Sequence, residues 1–191
     1  MGYRKLGVSL WGMLASATLL WAQDPNSAAT MKVQQEKLAA LAMLDGTWRG
    51  EAWMLTPSGE RIELVQTERV GPMLDGTVRV VEGLGYDNAG NVAYNALGII
   101  SYDAQSKKYL LRSYTQGRQG DFDVEVQNDE LTWSIKTGGA TIRYRATIRD
   151  GKWIEVGERL VGNQPPFKFM ELNLTRIGDT KWPVEGTVPP K

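Results

Sequence analysis

The stretch LDGTWRGEAW, residues 44–53, decides the fold, because two kinds of pattern meet in it. Before it, TMKVQQEKLAALAML over 30–44 spaces Val33, Leu38, Leu41 and Leu44 at roughly helical intervals among strong helix formers. Thr30 suits the N-cap of that helix, and Asp45-Gly46 stops it. From Gly46 onward the chain reads as β: short runs rich in Val, Ile, Thr, Tyr and Trp recur between turn residues.

The expected strands are 47–55, 61–70, 74–83, 92–102, 108–116, 121–127, 130–137, 141–149, 152–160 and 167–177. The turn signals between them include Pro57-Ser58-Gly59, Gly71-Pro72, the run from Asp87 to Gly90, the run from Gly117 to Gly120, Gly138-Gly139 and Asp150-Gly151. Alternation is clear in several strands. Phe122, Val124 and Val126 alternate with acids, and Ile142, Tyr144, Ala146 and Ile148 oppose Thr141, Arg143, Arg145, Thr147 and Arg149. Such strands have one face inside and one face wet. About ten of them joined by tight turns predict an all-β fold: a single antiparallel β-barrel whose closure removes exposed edges. The N-terminal helix would cover one end. A half-open barrel or a sandwich is the alternative.

The chain divides into four parts. Arg4 and Lys5 followed by the nearly uncharged run Leu6 to Ala22 have the form of a signal peptide, over residues 1–23. The competing reading of that run, a membrane anchor, suffers from its length, just short of a bilayer span. Residues 24–45 read as a loose linker (DPNSAAT, 24–30) and the helix, 46–178 as the barrel, and 179–191 as an extended tail. A periplasmic or secreted bacterial protein is therefore expected, with no stable membrane anchor once the leader is removed. The leader takes two of the 22 basic residues and no acidic one, leaving a net charge of −2 without a basic cluster. Nucleic acid is thus not an expected partner.

The chain has neither cysteine nor histidine. Disulfides, the usual zinc ligands, the Ser-His-Asp triad and the Cys-His dyad are all excluded. An enzyme would have to work through carboxylate, Tyr, Lys or Ser chemistry, so no catalytic residue, metal or cofactor is expected. A pair of convergent carboxylates inside the barrel would be the sign against that expectation.

Gly46-Thr47-Trp48 on the first strand and Arg176 on the last, in MELNLTRIG, resemble the calycin arrangement of lipocalins, fatty-acid-binding proteins and nitrobindin-like barrels. LDGTWRGEA, TERVGPMLDG, GIISYDAQSKKY and FMELNLTR are similar to small secreted bacterial lipocalin-like proteins of the domain-of-unknown-function type, over residues 38–178. The resemblance implies a structural clasp in which Arg176 packs across Trp48 at the closed end. Nitrobindin-like barrels hold haem through a histidine, which this chain lacks, so haem is not carried over.

A barrel of this size encloses one small ligand, and a small hydrophobic or amphipathic one is the expected partner. The expected lining is Met54, Glu68, Tyr114, Trp133, Tyr144 and Met170. Glu68, inward with Ile62, Leu64 and Gln66, would need a partner such as Arg112, Arg143 or Arg176. Strand 108–116 offers two mixed faces, neither clearly the core. A filled barrel serving a structural or interaction role in the envelope is the alternative.

Overall fold

The computed structural model describes residues 25–185 and 188. The expected leader lies outside them. A helix, α1 (Pro25–Ala39), and a short 3-10 turn, Ala42–Leu44, precede ten strands. These are β1 (Gly46–Leu55), β2 (Arg61–Met73), β3 (Val78–Tyr86), β4 (Val92–Asp103), β5 (Lys108–Thr115), β6 (Arg118–Gln127), β7 (Glu130–Thr137), β8 (Ala140–Arg149), β9 (Lys152–Leu160) and β10 (Phe167–Gly178). Each pairs antiparallel with the next, and β1 pairs with β10, closing the barrel. Every strand on a closed sheet has both its backbone edges satisfied, so no unpaired edge remains to be protected.

The helix starts earlier than Thr30, at Pro25, so from that residue on the expected linker is helical. Leu38 is its buried residue; Leu41 and Leu44 reach the core from the turns after it, and Val33 stays 38% exposed. The β2–β3 turn also differs from expectation. The strand runs through Gly71-Pro72 to Met73, and the reversal falls at 74–77, where Leu74, Asp75 and Gly76 take positive φ. Pro72 is exposed and lies beyond the last β1–β2 pair, Gly46 with Val70, while a Cβ at Gly71 would lie 2.0 Å from the carbonyl oxygen of Trp182. The tail after β10 therefore folds back in part: Trp182 is half-buried beside Gly71 and takes the Arg69 guanidinium on its ring at 4.5 Å.

The capped end contains the tightest packing. Leu38, Leu41, Leu44, Trp48, Val70 and Leu174 are no more than 2% exposed. Gly46 makes the junction possible. Its φ of +124° is open to glycine, and a Cβ there would meet the Gly178 carbonyl oxygen at 2.6 Å. Two residues on, Trp48 turns back and donates its indole N–H to the Leu44 carbonyl at 2.8 Å, satisfying an end of the turn. Arg79 of β3 forks onto both oxygens of Asp45, at 2.7 and 2.8 Å, and also donates to the Leu38 carbonyl. A nearly buried guanidinium thus ties the helix end to the barrel.

The expected clasp is different in form. Arg176 stands opposite Trp48 in register, but it makes no cation–π contact with it among the described residues. Instead its Nε donates to the Asp45 carbonyl at 3.1 Å and its other end meets Asp179. The ring partner of Trp48 is Trp153, edge-on at 5.7 Å. A guanidinium with two oxygen acceptors at hand gains more from those charge-assisted bonds than from a ring face.

Candidate functional site: the open half of the barrel

Strand period sends alternate residues inward, and register aligns them across strands. One such row runs Trp133–Tyr144–Gly157–Met170–Met54 across β7, β8, β9, β10 and β1. Four of the expected lining residues therefore stand side by side. Trp133 and Tyr144 stack with centroids 5.1 Å apart, and Phe169 meets Tyr144 edge-on at 5.9 Å. A register shift between Lys168 and Met170 lets both Phe169 and Met170 lean over Gly157, where a Cβ would lie 2.5 Å from Met170 Cγ and 2.8 Å from Phe169 Cζ. Met54, Trp133, Tyr144, Phe169 and Met170 are half-buried, unlike the residues of the capped end. On an inward face, that exposure means solvent reaches them through the open end of the barrel.

Tyr114 does not join them. In β5 it is Tyr109, Leu111, Ser113 and Thr115 that face inward, opposite Tyr102, Ile100, Gly98 and Ala96. The outer face carries Lys108 and Arg112, paired across the sheet with Asp123 and Asp121 at 2.5 and 2.6 Å. That ladder fixes which way the strand lies, and it turns Tyr114 outward, 38% exposed. There Tyr114 lines a shallow outer groove of about 590 Å³ with Glu82, Leu84 and Leu97. A second outer groove, of about 350 Å³, lies between Arg49, Thr67, Arg69 and Ile177. Both lie on the outer wall.

Below the aromatic row the interior is polar. Glu68 points inward as expected and is 9% exposed. None of the three arginines considered for it is its partner. Arg112 pairs with Asp121, Arg143 with Glu158 at 2.7 Å on the outer face, and Arg176 lies at the capped end. The only hydrogen bond Glu68 makes among the described residues is from the Gln66 amide to Oε1, at 2.7 Å. Gly83 and Gly85 of β3 make room for this pair: a Cβ at Gly83 would lie 2.6 Å from Glu68 Oε1, and one at Gly85 would lie 3.0 Å from Gln66 Oε1.

A second carboxyl, Glu155 of β9, is equally buried at 8% exposure. Its neighbour Trp153 holds an indole N–H that is buried without a well-formed hydrogen bond. Burial pushes the Glu68 carboxyl up to about 8; the Gln66 amide opposes this, and the Glu155 and Glu82 charges add to it. Burial likewise pushes Glu155 up to about 7, with the Trp153 N–H working weakly against it, at a geometry short of a hydrogen bond. Tyr144 is raised to about 12, first by burial and then by the Tyr94 and Glu155 fields; Tyr94 is raised by burial and then by the Glu155 and Glu68 fields, against a hydrogen bond with Thr115. Arg118, exposed at the rim, is the cation whose field reaches both tyrosines.

The interior thus holds two carboxyls, each able to be neutral or charged near neutrality, under a half-open aromatic wall. Neutral carboxyls donate as well as accept, and a carboxyl titrating near 7 is also suited to passing protons. The condition set for suspecting an enzyme is met to that extent, and an expectation of no catalytic function does not follow from this interior. Sequence reading missed Glu155, Tyr94 and Phe169, and it placed Gln66 inward without making it the partner of Glu68. The alternation Trp153-Glu155-Gly157 carried the signal for Glu155, because the large apolar Trp153 marks the inward face that it shares.

No family model matches the chain, and no curated protein matches it at a significant level. Among solved structures, Rv2717c from M. tuberculosis is similar with a TM-score of 0.55 at 13% identity, over 73% of this chain and 96% of that one. The S-type phycobiliprotein lyase CPES from Guillardia theta is similar with a TM-score of 0.49 at 9% identity, over 78% of this chain and 98% of that one. At such identities the likeness is one of architecture: the first of these, with the closed ten-strand meander, supports a calycin-like fold.

Proposed function

We propose that this protein is exported and binds a small amphipathic molecule in the open half of its barrel. The observation that carries the binding reading is the contrast in burial along one continuous interior. The capped end is filled by its own side chains, whereas the row Met54, Trp133, Tyr144 and Met170 stays open to solvent. Leaving large apolar groups half-wet inside a barrel forgoes roughly 25 cal/mol per Å² of stabilisation. A ligand seated there recovers it. The proposal of export rests on the charge-then-apolar pattern of residues 4–22.

The test is native mass spectrometry of the protein purified from the envelope of its own host, followed by extraction of any bound compound. A stoichiometric adduct is expected. A clean apo mass, combined with no uptake of an environment-sensitive apolar dye, would overturn the binding reading in favour of a structural barrel.

A second reading has a specific observation behind it. Glu68 and Glu155 share one interior, and the Glu155 charge reaches Glu68. That arrangement also serves proton transfer to a bound molecule, with one carboxyl as acid and the other as base. Loss of turnover, with ligand retained, in Glu155→Gln would favour it once a substrate is known.

A further inference from the structure

Four features of the interior bear on what kind of ligand it takes. First, two carboxyls, Glu68 and Glu155, are at least nine-tenths buried and meet no Lys or Arg in an ion pair among the described residues. Second, five arginines of the barrel are engaged elsewhere: Arg69 with Glu82, Arg79 with Asp45, Arg112 with Asp121, Arg143 with Glu158 and Arg149 with Asp129. Arg118 at the rim acts on Tyr94 and Tyr144, and among the described residues no cation acts on the two inner acids. Third, Trp153 presents a buried, unpartnered N–H beside Glu155, a donor in place to hold that carboxyl once it is charged. Fourth, the wall above them is Trp133, Tyr144 and Phe169, and aromatic faces attract cations.

Burying two carboxyls without a base is unfavourable, and the protein relieves it by keeping them neutral. A neutral ligand leaves that state as it is. An anionic ligand would bring a negative group beside two acids that have no base to offer it, leaving Arg118 at the rim as its counter-charge. A ligand cation reverses the balance, because it supplies the counter-charge that the sequence withholds. Resting on the ligand-binding reading above, we infer that the ligand is a hydrophobic amine. Its protonated nitrogen is held between Glu68 and Glu155, and its apolar body lies along Trp133, Tyr144, Phe169 and Met170.

The proton balance follows. The ammonium arrives charged, a carboxyl gives its proton to the buffer, and the ion pair forms with no bond made or broken elsewhere. The charged and titratable groups facing this pair are Tyr94 from β4, Arg118 from β6 and Tyr144 from β8, with Glu82 of β3 acting from outside. Burial raises both tyrosines, so the proton is lost from one of the two carboxyls.

Three probes with one apolar body separate the possibilities: dodecylamine, dodecanol and dodecanoate. Each is titrated into the mature protein by calorimetry at pH 7, in buffers of different ionisation enthalpy, below its aggregation concentration. The amine is expected to bind about tenfold or more tighter than either other probe, releasing up to about one proton per molecule bound. Glu68→Gln/Glu155→Gln, which keeps shape and removes charge, is expected to abolish proton release and bring the amine down to the alcohol. Circular dichroism establishes that the variant is folded. Tighter binding of dodecanol or dodecanoate overturns the amine assignment while leaving the barrel a ligand site; the acid would then place the head group at Arg118. An amine preference that survives the double substitution overturns it as well. Binding of none of the three, together with a clean apo mass, overturns the ligand reading itself.

Discussion

The two ends of the barrel interior are built by the same strands at the same period, yet they are finished differently. At the capped end Leu38, Leu41, Leu44, Trp48 and Leu174 interlock, and the polar groups among them are matched: Trp48 with Leu44, Arg79 with Asp45 and Leu38. At the other end aromatic and Met side chains stay half-wet, and on the way to it Glu68, in register with Trp48, and Glu155, in register with Ala146 and Leu172, have no ion-pair partner among the described residues. The first end is complete in itself, as a core must be in a chain with no cysteine and so no disulfide to lean on. The second end carries unfavourable features that packing alone would have removed. Where stability and chemistry pull apart in one continuous interior, the part that forgoes stability is where a site is to be sought.

This contrast breaks or holds first on tryptophan. Trp48→Ala removes a fully buried indole and the bond that closes the turn, and it is expected to cost about 3–5 kcal/mol in urea unfolding. Trp133→Ala, in the open row, is expected to cost about 2 kcal/mol or less, because its ring already meets solvent. Equal losses would mean that the open half is as solidly packed as the capped one. Gly46→Ala belongs with the first group. It forces a φ of +124° on a residue with a side chain and aims a methyl at the Gly178 carbonyl oxygen, for roughly 1–3 kcal/mol.

The next effect is on pH. The Glu68 carboxyl ordinarily titrates at 4.5, and in the fold it does so at about 8. Between those values the folded state holds a proton that the unfolded chain has released. Stability from this group is therefore fully present below 4.5 and is lost as pH rises towards 8. Glu155 acts in the same direction between 4.5 and about 7. The ceiling is about 1.4 kcal/mol per pH unit for each group, and the expected slope between pH 5 and 7 is a loss of about 2 kcal/mol per unit for the two together as pH rises. Glu68→Gln/Glu155→Gln should flatten it. Urea midpoints across that range make the test. A wild-type slope of zero or of the opposite sign would place the two carboxyls in contact with a charge or with bulk water. Such a result would erase the difference between the two ends.

Much of this was legible in the amino-acid order, and the rest was hidden for reasons that differ by residue. Alternation in 121–127, 130–137 and 141–149 gives the inward faces of β6, β7 and β8 directly, so Trp133 and Tyr144 are placed correctly from their own strands. Strand β5 alternates Lys-Leu-Arg-Tyr against Tyr-Leu-Ser-Thr, and only the Asp121 and Asp123 partners on β6 decide between the two. Pairing across strands is a fact of register that a single strand does not carry, hence the misplacement of Tyr114. Glu68 was read as inward but assigned an arginine. The rule that buried charges are paired assumes that the group is charged, and here burial removes the charge instead. The start of α1 and the β2–β3 turn differ from expectation because Pro25 opens a helix as readily as a linker, and because Pro72 lies beyond the last β1–β2 pair, where its missing N–H costs little.

The smallest effect separates the two ends by one methyl. A Cβ at Gly157 would lie 2.5 Å from Met170 Cγ and 2.8 Å from its sulfur, so something must move. What must move is the Met170 side chain and the edge of the Phe169 ring, 2.8 Å away at Cζ, both facing an open half, whereas at Gly46 it is a carbonyl oxygen of the closing strand. Met170 can swing towards solvent in a new rotamer, and alanine lowers the entropy of the unfolded chain relative to glycine. Gly157→Ala is therefore expected to change stability by less than about 1 kcal/mol in either direction. It should nevertheless weaken ligand binding, because the displaced Met170 enters the space beside Tyr144 and Phe169. A loss of stability as large as that of Gly46→Ala would show that Met170 has nowhere to go and that the barrel is full at both ends. An unchanged stability with weakened uptake of dodecylamine would place the ligand's body against Met170, on the row that runs from Trp133 to Met54.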